Sequence, residues 1–263
     1  MSTTTPPLPA SVDVLEGTDV AGVWKRFEIF EALHHSMQIC NPMTSENLDA
    51  VVEGLAPRDG DQVVDIACGY GELLVRVARQ ADIAGIGVDL SPWMLVGADR
   101  YANDQVPDAN LRWVLGDGKH FDFEPTDIVA SLGATWIWHG FEGTARAIAA
   151  RTRPGGRIAI GDMRLRDGVD HTQVAKEHGR VLSIAEHENA ITECGVRIID
   201  RIDTADESWD AYIERTRRGA TSWRELHPGP RADEFVEAQL QWEDDHARDM
   251  PILTWSVWIG EQL

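Results

Sequence analysis

The feature that most constrains this chain is a rhythm running through its middle, where short apolar runs alternate with segments of helical periodicity. Apolar runs fall at 62–67, 85–88, 111–115, 127–132, 157–161 and 196–203. Helix-periodic stretches fall at 72–80, 93–103, 144–151 and 183–194. A strand, an amphipathic helix and a second strand in succession pair in parallel, because the helix carries the chain back across the sheet. The runs are continuously apolar rather than alternating, so both faces of the sheet are expected to be covered. The pattern predicts an α/β fold built on a doubly wound, Rossmann-like, mostly parallel sheet.

The flanks depart from this rhythm. Residues 1–17 are expected to be a flexible tail, since their Ser/Thr/Pro-rich start has neither a basic opening nor an apolar core. A helical lid is expected over 18–56. Its first helix, Thr18 to Met37, carries Val23, Phe27, Phe30 and His34 at helical spacing. After Asn41-Pro42, Thr44 or Ser45 is the expected N-cap of a helix reaching Leu55. A helical insertion is expected over 205–249, before a last strand at 252–259 containing Trp255 and Trp258. Residues 18–263 read as one domain.

Charge narrows the partners. The 24 Lys+Arg against 44 Asp+Glu give a net charge of −20. Such a field repels polyanions, which predicts no nucleic acid partner and no anionic membrane surface. No apolar stretch approaches the ~18 residues of a membrane span. Cys40, Cys68 and Cys194 form no paired framework, as in a reducing compartment, and a cytoplasmic location is expected. No CxxC or HExxH pattern occurs, so no metal site is predicted. Oligomeric state is not legible.

The chemistry lies at three predicted strand ends. In Val63-Val-Asp-Ile-Ala-Cys-Gly-Tyr-Gly71, Asp65 sits near the end of the first run and Gly69-x-Gly71 opens a helix. Glycines there let a backbone approach a bulky ligand. In open α/β sheets, ligands sit beyond the carboxyl ends of the strands. Asp89, ending the next run, is placed to accept ribose hydroxyls, and Asp117, in Gly116-Asp-Gly118, to accept from an adenine amine. Each acid alone also suits a helix N-cap.

Together these motifs resemble the class I S-adenosylmethionine (SAM)-dependent methyltransferases over about Asn41 to Ile160. The matching segments are Asp65 to Gly71, Asp89, Asp117 and the Arg153-Pro-Gly-Gly156 turn before the fifth run. Ser131-Leu-Gly-Ala-Thr-Trp136 resembles that of a mostly uncharacterised bacterial branch. The resemblance implies SAM as cofactor and a seven-stranded sheet with an antiparallel last strand. It also implies Gly69 and Gly71 beneath the methionine part, Leu90 and Met94 near ribose and adenine, and Leu132 beside the sulfonium end. Ala67 and Gly118 join the cofactor set.

The function this implies is methyl transfer to N or O of a small metabolite that is neutral or cationic and partly aromatic. A base is needed only where the acceptor must lose a proton. His139, past the fourth run beside Trp136 and Trp138, is a catalytic candidate. So is His35, which adjoins His34 on the expected lid helix. Asp162 and Arg164 are candidates for a polar substrate group, and Trp24, Trp209 and Trp242 for pocket walls, against plain packing roles. Cys68 reads as a packing residue. Two alternatives stay open: a SAM-binding protein without turnover, and a nicotinamide-dependent oxidoreductase, disfavoured by Leu74 in place of a third glycine.

Overall fold

The structure is a computed structural model that describes residues 6–19, 22, 31–169, 180–246 and 250–263. The helix expected over Thr18 to Met37 is described as helical at Gly22 and from Glu31 to His34. Val23, Trp24, Phe27 and Phe30 lie outside the described residues, as does the side chain of Trp242.

The alternating region folds as β2 (Gln62–Ile66), α2 (Glu72–Gln80), β3 (Ala84–Asp89), α3 (Pro92–Gln105), β4 (Asn110–Leu115), β5 (Thr126–Leu132), α4 (Phe141–Ala149) and β6 (Thr152–Leu165). It is preceded by β1 (Val12–Val14) and α1 (Ser45–Leu55). It is followed by α5 (Ile184–Thr192), β7 (Val196–Asp203), α6 (Asp206–Leu226), α7 (Pro230–His246) and β8 (Leu253–Gln262). The strand order is β1-β4-β3-β2-β5-β6-β8-β7. From β2 the chain winds outward through β3 and β4, then returns to β5 on the other side. That reversal puts a crevice at the carboxyl ends of β2 and β5. As the resemblance implied, β8 runs antiparallel to both its neighbours.

Two expectations are corrected. The sheet has eight strands, not seven, because Val12–Val14, assigned by sequence to the tail, pairs in parallel with β4 (Val12 opposite Trp113). Three residues are too few for a periodic signal, and pairing with β4 makes them a strand. The Arg153–Gly156 turn does not precede the fifth strand of the alternating series. It lies within β6, where the register against β5 shifts between Thr126 and Ile128.

Local chemistry sets the helix ends. Thr44 caps α1 in a reciprocal box with Asn47, and Leu48, Val51, Val52 and Leu55 bury its inner face. Ser91 caps α3, accepting from the Met94 amide, with Pro92 in the first turn. By contrast, α2 starts behind Gly71 with no side-chain cap. One core layer joins α1, α2 and α3 to the sheet around Trp113. The opposite layer packs Phe141, Ile191 and Trp258. Trp209 is buried in the first layer, which is the packing role.

Candidate active site

Backbone register brings two of the predicted acids to the same edge. Asp65 pairs with Gly87 across β2 and β3, and Asp89 ends β3. Between them runs the turn Ala67–Gly71. Ala67, Gly69 and Gly71 all have positive φ, at 60°, 54° and 74°. The turn wraps onto Asp89, whose Oδ2 accepts from the Gly69 amide at 2.9 Å and whose Oδ1 accepts from the Ser91 amide at 2.8 Å. Each oxygen keeps capacity for a further donor. Burial pushes both carboxyls up, with mutual repulsion adding to the effect at Asp65.

Two cavities open on this turn. The larger has about 730 Å³ of free space, its mouth included. It is lined by Ala67, Gly69, Asp89, Leu90, Ser91 and Met94, and by Gly116 and Gly118. Leu132, Gly133, Ala134, Trp136 and Ile137 also line it, with His34 and Cys40 from the N-terminal segment. The second, about 410 Å³, shares Cys40, Ala67, Gly69 and Leu132 and adds Asp65, Asn41, Gln38 and Tyr70. Cavities of this size suit a ligand of nucleoside dimensions. A Cβ at Gly69 would meet nothing nearer than Cys40 Sγ at 3.8 Å and Met94 Sδ at 3.9 Å, both cavity-wall atoms. It would therefore project into the cavity that the glycine keeps open.

Of the cofactor residues read from sequence, Ala67, Gly69, Asp89, Leu90, Met94, Gly118 and Leu132 line the larger cavity, and Asp65 lines the second. Gly71 stands behind them. A Cβ there would lie 2.5 Å from the buried Trp113 ring. Asp117 is not among the lining residues of the larger cavity, although both its glycine neighbours are. Its Oδ1 accepts from the Lys119 amide at 2.9 Å, the local turn bond that short acids favour.

The two catalytic candidates do not come together. His139 is exposed, with Nε2 3.2 Å from Lys119 Nζ. His35 turns Nδ1 to the Ala32 carbonyl at 3.2 Å and sets its ring edge-on to Trp223. His34 instead lines the larger cavity, 3% exposed, with Nε2 2.9 Å from Tyr212 Oη of α6. Sequence marked the pair of histidines, but which one faces inward follows from docking against α6. Asp162 accepts from Thr135 Oγ1 at 2.8 Å, and burial pushes its carboxyl up to about 6. Arg164 is a buried strut between Ser256, the Leu165 carbonyl and Asp203. Neither lines the larger cavity. Cys68 is buried in the core, the packing role expected of it.

Residues 63–156 match the family model of a methyltransferase domain. The chain is 27% identical over 220 residues to the uncharacterized Escherichia coli K12 protein YjhP, spanning 81% of this chain and 88% of that one. It is 26% identical over 211 residues to 27-O-demethylrifamycin SV methyltransferase of Amycolatopsis mediterranei, across 70% of this chain and 75% of the relative. A Geobacter sulfurreducens SAM-dependent methyltransferase, solved with S-adenosyl-L-homocysteine, superposes with a TM-score of 0.80 at 27% identity, across 90% of this chain and 98% of that one. The fold, the glycine turn and these matches are those of a SAM-dependent methyltransferase: residues 63–156 carry the methyltransferase domain, and the chain as a whole is similar to class I enzymes solved with S-adenosyl-L-homocysteine.

Proposed function

We propose that the two adjoining cavities hold SAM and that the enzyme methylates N or O of a small, partly aromatic acceptor. The observation that carries this reading is the cavity lined together by Gly69, Asp89 and Leu132. Asp89, with its oxygens already oriented by two amides, binds the ribose hydroxyls. Gly116 and Gly118 border the adenine end, and Asp65 serves the methionine end from the second cavity. SAM supplies an electrophilic methyl group, so the chain's own contribution is chiefly to hold two molecules in line and exclude water. Leu132, Ala134 and Ile137 make an apolar wall, and Trp136, 50% exposed, offers a flat face to an aromatic or cationic acceptor. Where the acceptor must lose a proton, His34 against Tyr212 is the group at hand.

The rifamycin relative favours a small-molecule acceptor, and the charge of −20 disfavours a nucleic acid. A metabolite extract supplied with methyl-labelled SAM tests the reading. Label in a small molecule is expected, and label confined to protein or RNA contradicts the acceptor class. Calorimetry with S-adenosylhomocysteine tests the cavity assignment. Asp89→Ala is expected to weaken binding by at least about tenfold, since a charge-assisted acceptor is lost. Unchanged affinity would remove Asp89 from the site.

A further inference from the structure

Glu31 belongs to none of the motifs and lines neither cavity itself, yet it is a buried carboxyl packed against groups that do. It lies one helical turn before His34 and is 7% exposed. Its Oε1 accepts from Tyr70 Oη at 3.4 Å, while its Oε2 is buried with no hydrogen-bond partner. Its neighbours are cavity-wall groups: it interacts with the Ser91 hydroxyl and feels the charge of Asp89.

A buried carboxylate oxygen without a donor is costly when charged, and a second carboxylate beside it adds to that cost. The neutral acid resolves both, because the proton on Oε2 becomes a donor while Oε1 goes on accepting from Tyr70. Beside Asp89, which accepts from backbone amides, a neutral Glu31 then supplies a donor.

We propose that Glu31 acts as a neutral carboxylic acid at the ribose subsite, donating from Oε2 to the bound nucleoside, so that binding is linked to uptake of a proton. This rests on the reading of the cavities as the SAM site. Burial pushes the Glu31 carboxyl up to about 7, and Asp89 pushes the same way, against the Tyr70 hydrogen bond and the nearby Ser91 hydroxyl. Among the described residues, the titratable groups around it are Asp89 at the end of β3, Tyr70 in the glycine turn, and Cys40, whose thiol is also influenced by Arg215 of α6. His34 lies on its own turn.

The test is titration calorimetry of the intact protein with S-adenosylhomocysteine at about pH 6 and about pH 8, in two buffers of different ionisation enthalpy. Wild type is expected to bind about tenfold more weakly at the higher pH and to take up close to one proton there. Glu31→Gln keeps a neutral donor, so it should hold the low-pH affinity at both pH values and lose the uptake. Glu31→Ala should bind weakly at both. The inference is overturned if wild type binds without proton uptake, if its affinity rises with pH, or if a folded Glu31→Gln keeps the wild-type pH dependence. The two-buffer measurement on wild type needs no variant, so a poorly folding substitution cannot mask the answer. Absence of any binding of SAM or S-adenosylhomocysteine by wild type would overturn the site assignment itself, and this inference with it.

Discussion

At the scale of the residue, two glycines and one tryptophan fix the shape of the cofactor turn. Trp113 is 1% exposed, and its ring fills the space that side chains at Gly71 and Gly87 would need. Gly71 also has φ +74°, a region in which a side chain costs about 1–2 kcal/mol. Gly71→Ala should therefore destabilise the protein by about 2–4 kcal/mol, combining backbone strain with overpacking against a rigid ring. Urea denaturation measures this, and a loss below about 1 kcal/mol would mean the turn can move away from Trp113. Gly69 contrasts with it, since a Cβ there would meet only the cavity-wall sulfurs of Cys40 and Met94, at 3.8 and 3.9 Å. One glycine packs against the core and the other borders the cavity, although the two look alike in the sequence.

At the scale of the element, α6 and the turn carrying Glu31 and His34 act as one piece. A Cβ on Gly219 of α6 would lie 2.2 Å from the Leu33 carbonyl oxygen, so the two backbones meet directly. Trp223 and Ala232 close around Ala32, and Tyr212 reaches His34. Gly219→Ala should force the two apart and weaken S-adenosylhomocysteine binding several-fold, by moving His34 without touching the glycine turn. A variant with wild-type affinity would show that α6 does not position this wall. Helix α5 presents a pH effect of its own. His187 stacks on Trp258 at 4.1 Å and is fully buried. Burial lowers its pKa from 6.5 to about 4. The unfolded chain then binds more protons between those values, so stability is lost as pH falls from about 6.5 toward 4. His187→Phe should flatten that acid limb in thermal melts, while the Ser183 carbonyl keeps the His187 backbone amide as a partner. An unchanged limb would assign the acid sensitivity elsewhere.

At the scale of the whole molecule, buried acids and surface charge act in the same direction. Glu31 is raised from 4.5 to about 7 and Asp162 from 3.8 to about 6, while Asp65 and Asp89 are raised as well. A raised carboxyl binds its proton more tightly in the folded state, so its contribution to stability falls as pH climbs from the unfolded value through the folded one. Above the His187 window, Glu31 still titrates, and the net charge of −20 adds self-repulsion. The free protein should thus melt higher near pH 6 than near pH 8, and added salt should narrow the gap by screening the surface part. A Tm that rises across this interval would contradict the neutral form of Glu31. No helix among the described residues is long and apolar enough to cross a membrane.

Local features were legible from the chain alone. The strand and helix alternation, an N-cap at Thr44 or Ser45, the glycine turn and the position of Asp89 depend on period, capping and backbone freedom, which adjacent residues carry with them. Tertiary structure decided the rest, because it turns on contacts between distant segments. His34 faces the cavity and His35 does not because Tyr212, 178 positions away, meets one of them. Asp117 turned to its own loop, β1 found β4, and Glu31 lost its water to a cavity wall built from β3 and the glycine turn. Burial and partnership are properties of the packed whole, and they decide which of many acids and histidines acquires chemistry.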